Sequence, residues 1–167
     1  MTRVLNLASS GSSPDGLKHV PQIRQFGSYS FPMPHSLRLS LLAGRFAICR
    51  LASDAAIPAW ALAGAFFSIT RTADELSLVV EEAAAPASVR CEGGWRALKL
   101  AGPFPFTMTG VLASVLDPLA AAAISIFAVS TFDTDYVLVR HEALDHALAA
   151  LRAAGHQVTS PESPHVP

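Results

Sequence analysis

Asp133 and Asp135 stand two residues apart in the run Ser130-Thr131-Phe132-Asp133-Thr134-Asp135-Tyr136. Carboxylates in a short polar turn accept hydrogen bonds from an ammonium group, and the hydroxyls of Ser130 and Thr131, or strand-end amides, add further polar contacts. A second set lies upstream in Gly102-Pro103-Phe104-Pro105-Phe106-Thr107-Met108-Thr109-Gly110, directly before an apolar periodic run. A helix starting there exposes backbone N–H groups suited to a carboxylate. Gly110 permits close approach, and the Thr109 hydroxyl can either cap the helix or meet the anion itself. Phe104, Phe106, Met108 and Phe132 supply an apolar wall. These types together suit a free amino acid, which needs donors for its carboxylate, an acceptor for its ammonium group and a surface for its side chain. Asp-x-Asp between strands is equally an ordinary solvated turn, and phenylalanine after a strand is ordinary core, so residue type alone leaves both readings standing.

Other chemistries are poorly served. His141 and His146 are five apart, off the i, i+4 spacing of a helical metal pair, and the acidic turn has too few oxygen ligands for a calcium loop. Ser68, Ser77 and Ser130 lack a Gly-x-Ser-x-Gly setting, neither cysteine has a neighbouring histidine, and no phosphate-binding glycine loop occurs. Neither catalysis nor a metal or cofactor is expected. Net charge is −1, with 12 basic and 13 acidic residues and no basic cluster, which disfavours nucleic acid and anionic membranes as partners. Cys49 and Cys91, without C-x-x-C spacing, are expected to act as small buried hydrophobes and not as a disulfide or a zinc site.

The elements that must position these residues follow from periodicity. Leu37–Leu42 and Phe46–Leu51 are strands around the Ala43-Gly44 turn and read as a hairpin. Ser53-Asp54 can cap a short helix through Leu62, and strands 66–72 and 76–82 follow. Residues 83–94, with Pro86 and Gly93-Gly94, read as a boundary. Beyond it come a strand at 95–100 and a helix from Val111 that Pro118 should kink or restart with Asp117 as cap. Strands 124–131 and 136–140, a helix over 142–154 ended by Gly155, and a short strand at 156–158 complete a βαββαβ order. The run at 66–80 repeats the layout of 124–140, and sliding one onto the other pairs Phe67 with Phe127, Leu78 with Leu138, Val79 with Val139 and Glu75 with Asp135.

The expected fold is therefore α+β, with two ferredoxin-like βαββαβ modules, the first incomplete, whose antiparallel sheets pack side by side. Residues 37–94 form the first module and 95–158 the second, between an extension at 1–36 and a tail at 159–167, both expected to be disordered. The most apolar windows, 55–69 and 119–129, are too short for a helix that crosses a bilayer. The 51% hydrophobic content points instead to a dry core or a large buried interface in a cytoplasmic protein.

Phe46-Ala-Ile-Cys-Arg-Leu51, Ile57-Pro58, Phe67-Ser-Ile-Thr70-Arg71-Thr72, Glu75-Leu76-Ser77, Gly102-Pro103, Thr109-Gly110 and Ser130-Thr131-Phe132-x-Thr134-Asp135-Tyr136 together resemble the small bacterial tandem ACT-domain proteins. These are related to ligand-binding modules of the eukaryotic cytosolic arginine sensor. The resemblance covers about residues 37–158. It implies a non-catalytic sensor that binds an amino acid or other small ligand where modules meet, forms a homodimer, and passes its ligand state to a downstream protein. It also favours Asp135 over Asp133 as the ammonium partner. The residues expected at the ligand are then Gly102, Pro103, Phe104, Met108, Thr109, Gly110, Ser130, Thr131, Phe132 and Asp135. A different reading of the same resemblance is a ligand-free module whose apolar surface and strand edges mediate oligomerisation.

Overall fold

A computed structural model describes residues 36–159, so all but the last residue of the expected extension and all but the first residue of the expected tail lie outside the described residues. Strands β1 (Arg38–Leu41), β2 (Phe46–Leu51), β3 (Ser68–Arg71) and β4 (Leu76–Glu81) precede a ten-residue strand β5 (Cys91–Leu100). Helix α1 (Val111–Ala121), strands β6 (Ile126–Ser130) and β7 (Asp135–Arg140), helix α2 (Leu144–Ala153) and strand β8 (Gln157–Thr159) follow. The α+β, ferredoxin-like architecture read from the sequence is what the chain adopts, its strands joined in one eight-stranded sheet.

The hairpin expected between Leu37–Leu42 and Phe46–Leu51 does not form. β1 and β2 lie end to end along the same edge of β5, where Leu39 faces Leu100, Leu41 faces Leu98 and Phe46 faces Trp95. Gly44, at φ 78°, serves a step between two collinear strands instead of a reversal. β5 thereby works twice. Its first half completes β3-β4-β2-β5, the ferredoxin order, for the first module, and its second half opens β6-β7-β5-β1-β8 for the second. β1 is inserted between β5 and β8, antiparallel to the former and parallel to the latter. The position between residues 94 and 95, where the modules were expected to part, falls inside this shared strand. β8 likewise runs through Thr159, into the start of the expected tail.

In the first module short 3-10 turns at Ala59–Leu62 and Glu82–Ala84 stand where helices would be. Pro58, not Ser53 or Asp54, is the cap of the first of them, and no side chain bonds to it. In the second module α1 runs unbroken through Pro118, so the helix does not restart there. Proline has no N–H, so the carbonyl of Ser114 one turn earlier loses its helical donor. His156 replaces it: the buried imidazole has Nε2 at 3.0 Å from that carbonyl, while its Nδ1 accepts the N–H of Leu37 at 3.2 Å. An accepting Nδ1 leaves Nε2 as the protonated nitrogen, so both ring atoms are used.

Alternation along the strands divides the core in three. Leu98, Leu100, Val137 and Val139 face α1 and α2 and meet Val115, Leu119, Ala147 and Leu151. Ala47, Cys49, Leu76, Leu78 and Val80 face the 3-10 side of the first module. The opposite faces, with Phe46, Val79, Trp95, Ala97 and Leu138, pack on each other, and Phe66 stacks on Tyr136 at 4.4 Å between ring centroids. Complete burial of each such leucine, valine or phenylalanine contributes about 1.5–3 kcal/mol.

This division corrects the repeat. The β3–β4 turn pairs Arg71 with Leu76 and the β6–β7 turn pairs Ser130 with Asp135, so Arg71 corresponds to Ser130 and Leu76, not Glu75, to Asp135. Val79 then matches Leu138, both in the central core, and Leu78 matches Val137, both on the outer faces. The expected register, with Leu78 on Leu138, would equate residues that point to opposite sides of the sheet, because the smallest possible slip exchanges strand faces.

The cysteines are a second correction. Cys49 and Cys91 are direct partners across β2 and β5, with Cα atoms 4.0 Å apart, and are joined in a disulfide. They lie 42 residues apart in sequence, and antiparallel register brings them opposite each other.

Candidate functional site

The turn between β6 and β7 is built by Thr131. Its N–H and its hydroxyl both reach the carbonyl of Thr134 at 2.8 Å, and the N–H of Thr134 donates back to Thr131 Oγ1 at 3.3 Å. Thr72 does the same in the first module, with its N–H donating to the Glu75 carbonyl at 2.9 Å and its Oγ1 accepting from the N–H groups of Asp74 and Glu75, each at 3.2 Å. Such threonine turns arise because a short hydroxyl side chain can replace a missing backbone partner. In the register of these turns, Thr72 and Asp74 match Thr131 and Asp133, whereas Asp135 takes the place of the buried Leu76. Asp135 thus has no acidic counterpart in the first copy.

Two bonds clip this turn to the loop after β5. The buried Thr134 hydroxyl donates to the Leu100 carbonyl at 2.7 Å, and the Phe104 N–H donates to the Asp133 carbonyl at 2.9 Å. The backbones approach so closely that a Cβ on Gly102 would collide with the Asp133 carbonyl oxygen. Glycine is required there for space, and the peptide from Gly102 to Pro103 is cis.

Between loop and turn lies a cleft of about 230 Å³. Of the ten residues expected at a ligand, Phe104, Met108, Ser130, Thr131, Phe132 and Asp135 line it. Gly102 and Pro103 lie on a neighbouring cleft of about 410 Å³, which they share with Ser40, Lys99, Asp133 and Thr134. Thr109 and Gly110 line neither. Gly110, at φ 79°, is the N-cap of α1, and no side chain caps that end, so the Thr109 hydroxyl does not serve as the cap. Phe106 and Asp133, both weighed above on residue type, also line the smaller cleft, and Pro105, Val111 and Thr134 are additions. Only Thr134 had a sequence signal, its place in a repeated Thr-x-Asp-x turn that matching Glu75 to Asp135 obscures.

Inside the cleft Ser130 Oγ donates to Asp135 Oδ1 at 2.5 Å, which fixes the carboxylate and leaves Oδ2 for another donor. Phe106 and Phe132, 79% and 78% exposed, meet edge to face at 5.1 Å and form a wall open to solvent. The corresponding end of the first module is occupied by its own side chains: Arg71 donates to the carbonyls of Ser53 and Ala55, and Arg50 pairs with Glu75 at 2.6 Å. Among the described residues no group of three or more His, Cys, Asp and Glu could hold a metal ion, and no helix is long and apolar enough to cross a membrane.

A family model described as an ACT domain matches residues 90–153, and a second, an N-terminal domain, matches residues 44–88. Protein Atu0741 from Agrobacterium tumefaciens, known from its crystal structure, is 44% identical, with a TM-score of 0.73 over 79% of this chain and 98% of that one. The human protein CASTOR3P is 36% identical over 87 residues, which are 44% of this chain and 53% of that protein. The chain thus spans about half the length of that curated relative. Aspartate kinase from Clostridium acetobutylicum, 13% identical, shares the fold at a TM-score of 0.52 over 70% of this chain and 34% of its own. The kinship implied by the sequence motifs is borne out. Residues 90–153 are an ACT domain, and over most of its length the chain belongs to the same family as protein Atu0741.

Proposed function

We propose that this chain is a non-catalytic cytoplasmic sensor that binds an amino acid in the cleft between the 101–110 loop and the 130–135 turn. The observation that carries this reading is the combination of an oriented carboxylate, Asp135 held by Ser130 at 2.5 Å, with the wall of Phe104, Phe106, Met108 and Phe132. The ammonium group of the ligand meets Asp135, and its side chain lies along the aromatic wall. The carboxylate lies toward the start of α1, whose first residue, Val111, is part of the lining. Gly102 and Pro103 act from behind, by holding the loop against the turn. A homodimer would close the open side of the cleft and carry the ligand state to a downstream protein.

The test is a thermal-shift screen of the common amino acids followed by calorimetry. A ligand at a hundred times its Kd stabilises by about 2.7 kcal/mol, a shift of several degrees. Asp135→Ala should abolish binding of any hit, and unchanged affinity in that variant would refute the assignment. One observation favours a second reading, a ligand-free interaction module: the exposure of Phe106 and Phe132 suits a protein partner as well as a ligand. No shift with any amino acid, in a chain that forms a defined dimer, would decide for it.

A further inference from the structure

The bridge between Cys49 and Cys91 spans β2 and β5 just past an irregularity in the ladder between them. Phe46 faces Trp95, but the register shifts before Ile48 faces Glu92 and Cys49 faces Cys91. Gly94, at φ 75°, sits on the β5 side of that irregularity. Beyond it, besides those ladder pairs, the Arg50 N–H donates to the Arg90 carbonyl at 3.0 Å, Arg140 Nη1 donates to the Gly93 carbonyl at 2.7 Å, and Arg140 Nη2 meets Glu92 Oε2 at 3.1 Å. The segment from Ala85 to Arg90 that feeds into this end has no helix or strand. A covalent link therefore stands at the start of the first module's fourth strand, between a register shift and an irregular segment.

The two sulfurs also differ in surroundings. Cys49 is 1% exposed and packs among Ala47, Ala61, Leu76, Leu78 and Val80. Cys91 is only partly buried. We propose that Cys49–Cys91 is a site of reversible thiol–disulfide exchange with a small dithiol, a clasp whose opening loosens residues 86–94 while the rest of the fold stays intact. A thiolate of the dithiol attacks Sγ of Cys91, the less buried of the two residues, and forms a mixed disulfide as the protein S–S bond breaks. The electron pair leaves on Cys49 Sγ, which takes up a proton. The second thiol of the reductant then attacks the mixed disulfide, releasing Cys91 as a thiol and the reductant as a cyclic disulfide, so two electrons pass to the protein. A small-molecule disulfide runs the sequence backwards. Reduced Cys49 remains a small apolar side chain in an apolar pocket, so opening the clasp need not disturb the core.

The test uses the full chain. Alkylation under denaturing conditions should label no thiol after treatment with a small disulfide oxidant and two after treatment of the folded protein with dithiothreitol, with re-oxidation restoring the first result. Amide exchange over residues 86–94 should rise about tenfold or more on reduction, with β6, β7 and α1 unchanged. The Cys91→Ala variant should show the fast exchange in either buffer. Two alkylatable thiols after oxidant treatment would overturn the proposal. So would a bond that dithiothreitol opens only when the protein unfolds, or exchange over 86–94 that is the same in both redox states.

Discussion

Replacing His156 with leucine removes both hydrogen bonds of a buried imidazole while keeping its volume roughly filled. The Leu37 N–H and the Ser114 carbonyl are left without their side-chain partner, and each orphaned buried group costs about 1–3 kcal/mol. The expected loss is about 2–6 kcal/mol, a large share of the ~5–15 kcal/mol that stabilises a typical domain. The Ser114 carbonyl is exposed to this loss because Pro118 has no N–H to give it. Pro118→Ala restores that donor, so it should help the leucine variant more than it helps the parent. Urea titrations of the parent, both single variants and the double variant, followed by tryptophan fluorescence, give the coupling directly. A coupling of about 1–2 kcal/mol in favour of the double variant is expected from one rescued acceptor. A value below about 0.5 kcal/mol, the scatter of independent sites, would show that His156 does not stand in for the missing helical donor.

Gly102→Ala should destabilise the fold by about 2–3 kcal/mol, read as a fall in Tm, because the new Cβ meets the Asp133 carbonyl and must break the contact between loop and turn. A change under about 0.5 kcal/mol, the range of an ordinary surface substitution, would mean that the loop yields freely. Arg50→Ala, by contrast, should shift stability by less than about 1 kcal/mol in the same assay. Its pair with Glu75 is short, but the two side chains are 52% and 36% exposed, and solvent screens most of the attraction.

What the sequence made legible was local. The repeat, the two helices of the second half and the strands on either side of the acidic turn all follow from short runs whose period reports one buried face. What it hid was pairing. Leu37–Leu42 and Phe46–Leu51 have the alternation of a hairpin, yet β5 is long enough to accept both along one edge, and nothing near Ala43-Gly44 records that. The disulfide was hidden in the same way, since Cys49 and Cys91 meet only through the register of β2 against β5. The error in aligning the two copies had a different origin. Matching acid to acid put Glu75 on Asp135, but hydrogen bonding by Thr72 and Thr131 defines the turns, and charge does not. Six of the ten candidate ligand residues share one cleft because they were named from two segments that the Phe104 and Thr134 bonds hold together. Thr109 and Gly110 were legible as a helix start, while the direction in which that start faces depends on packing.

β5 serves both modules of the one sheet, and this constrains how the chain can be divided. Two copies joined by a free linker can drift apart, exchange partners, or be lost one at a time. Here a cut anywhere from Cys91 to Leu100 deprives each copy of a member. With a single strand serving both repeats, and β1 interleaved between β5 and β8, neither repeat can be cut away without opening the sheet of the other.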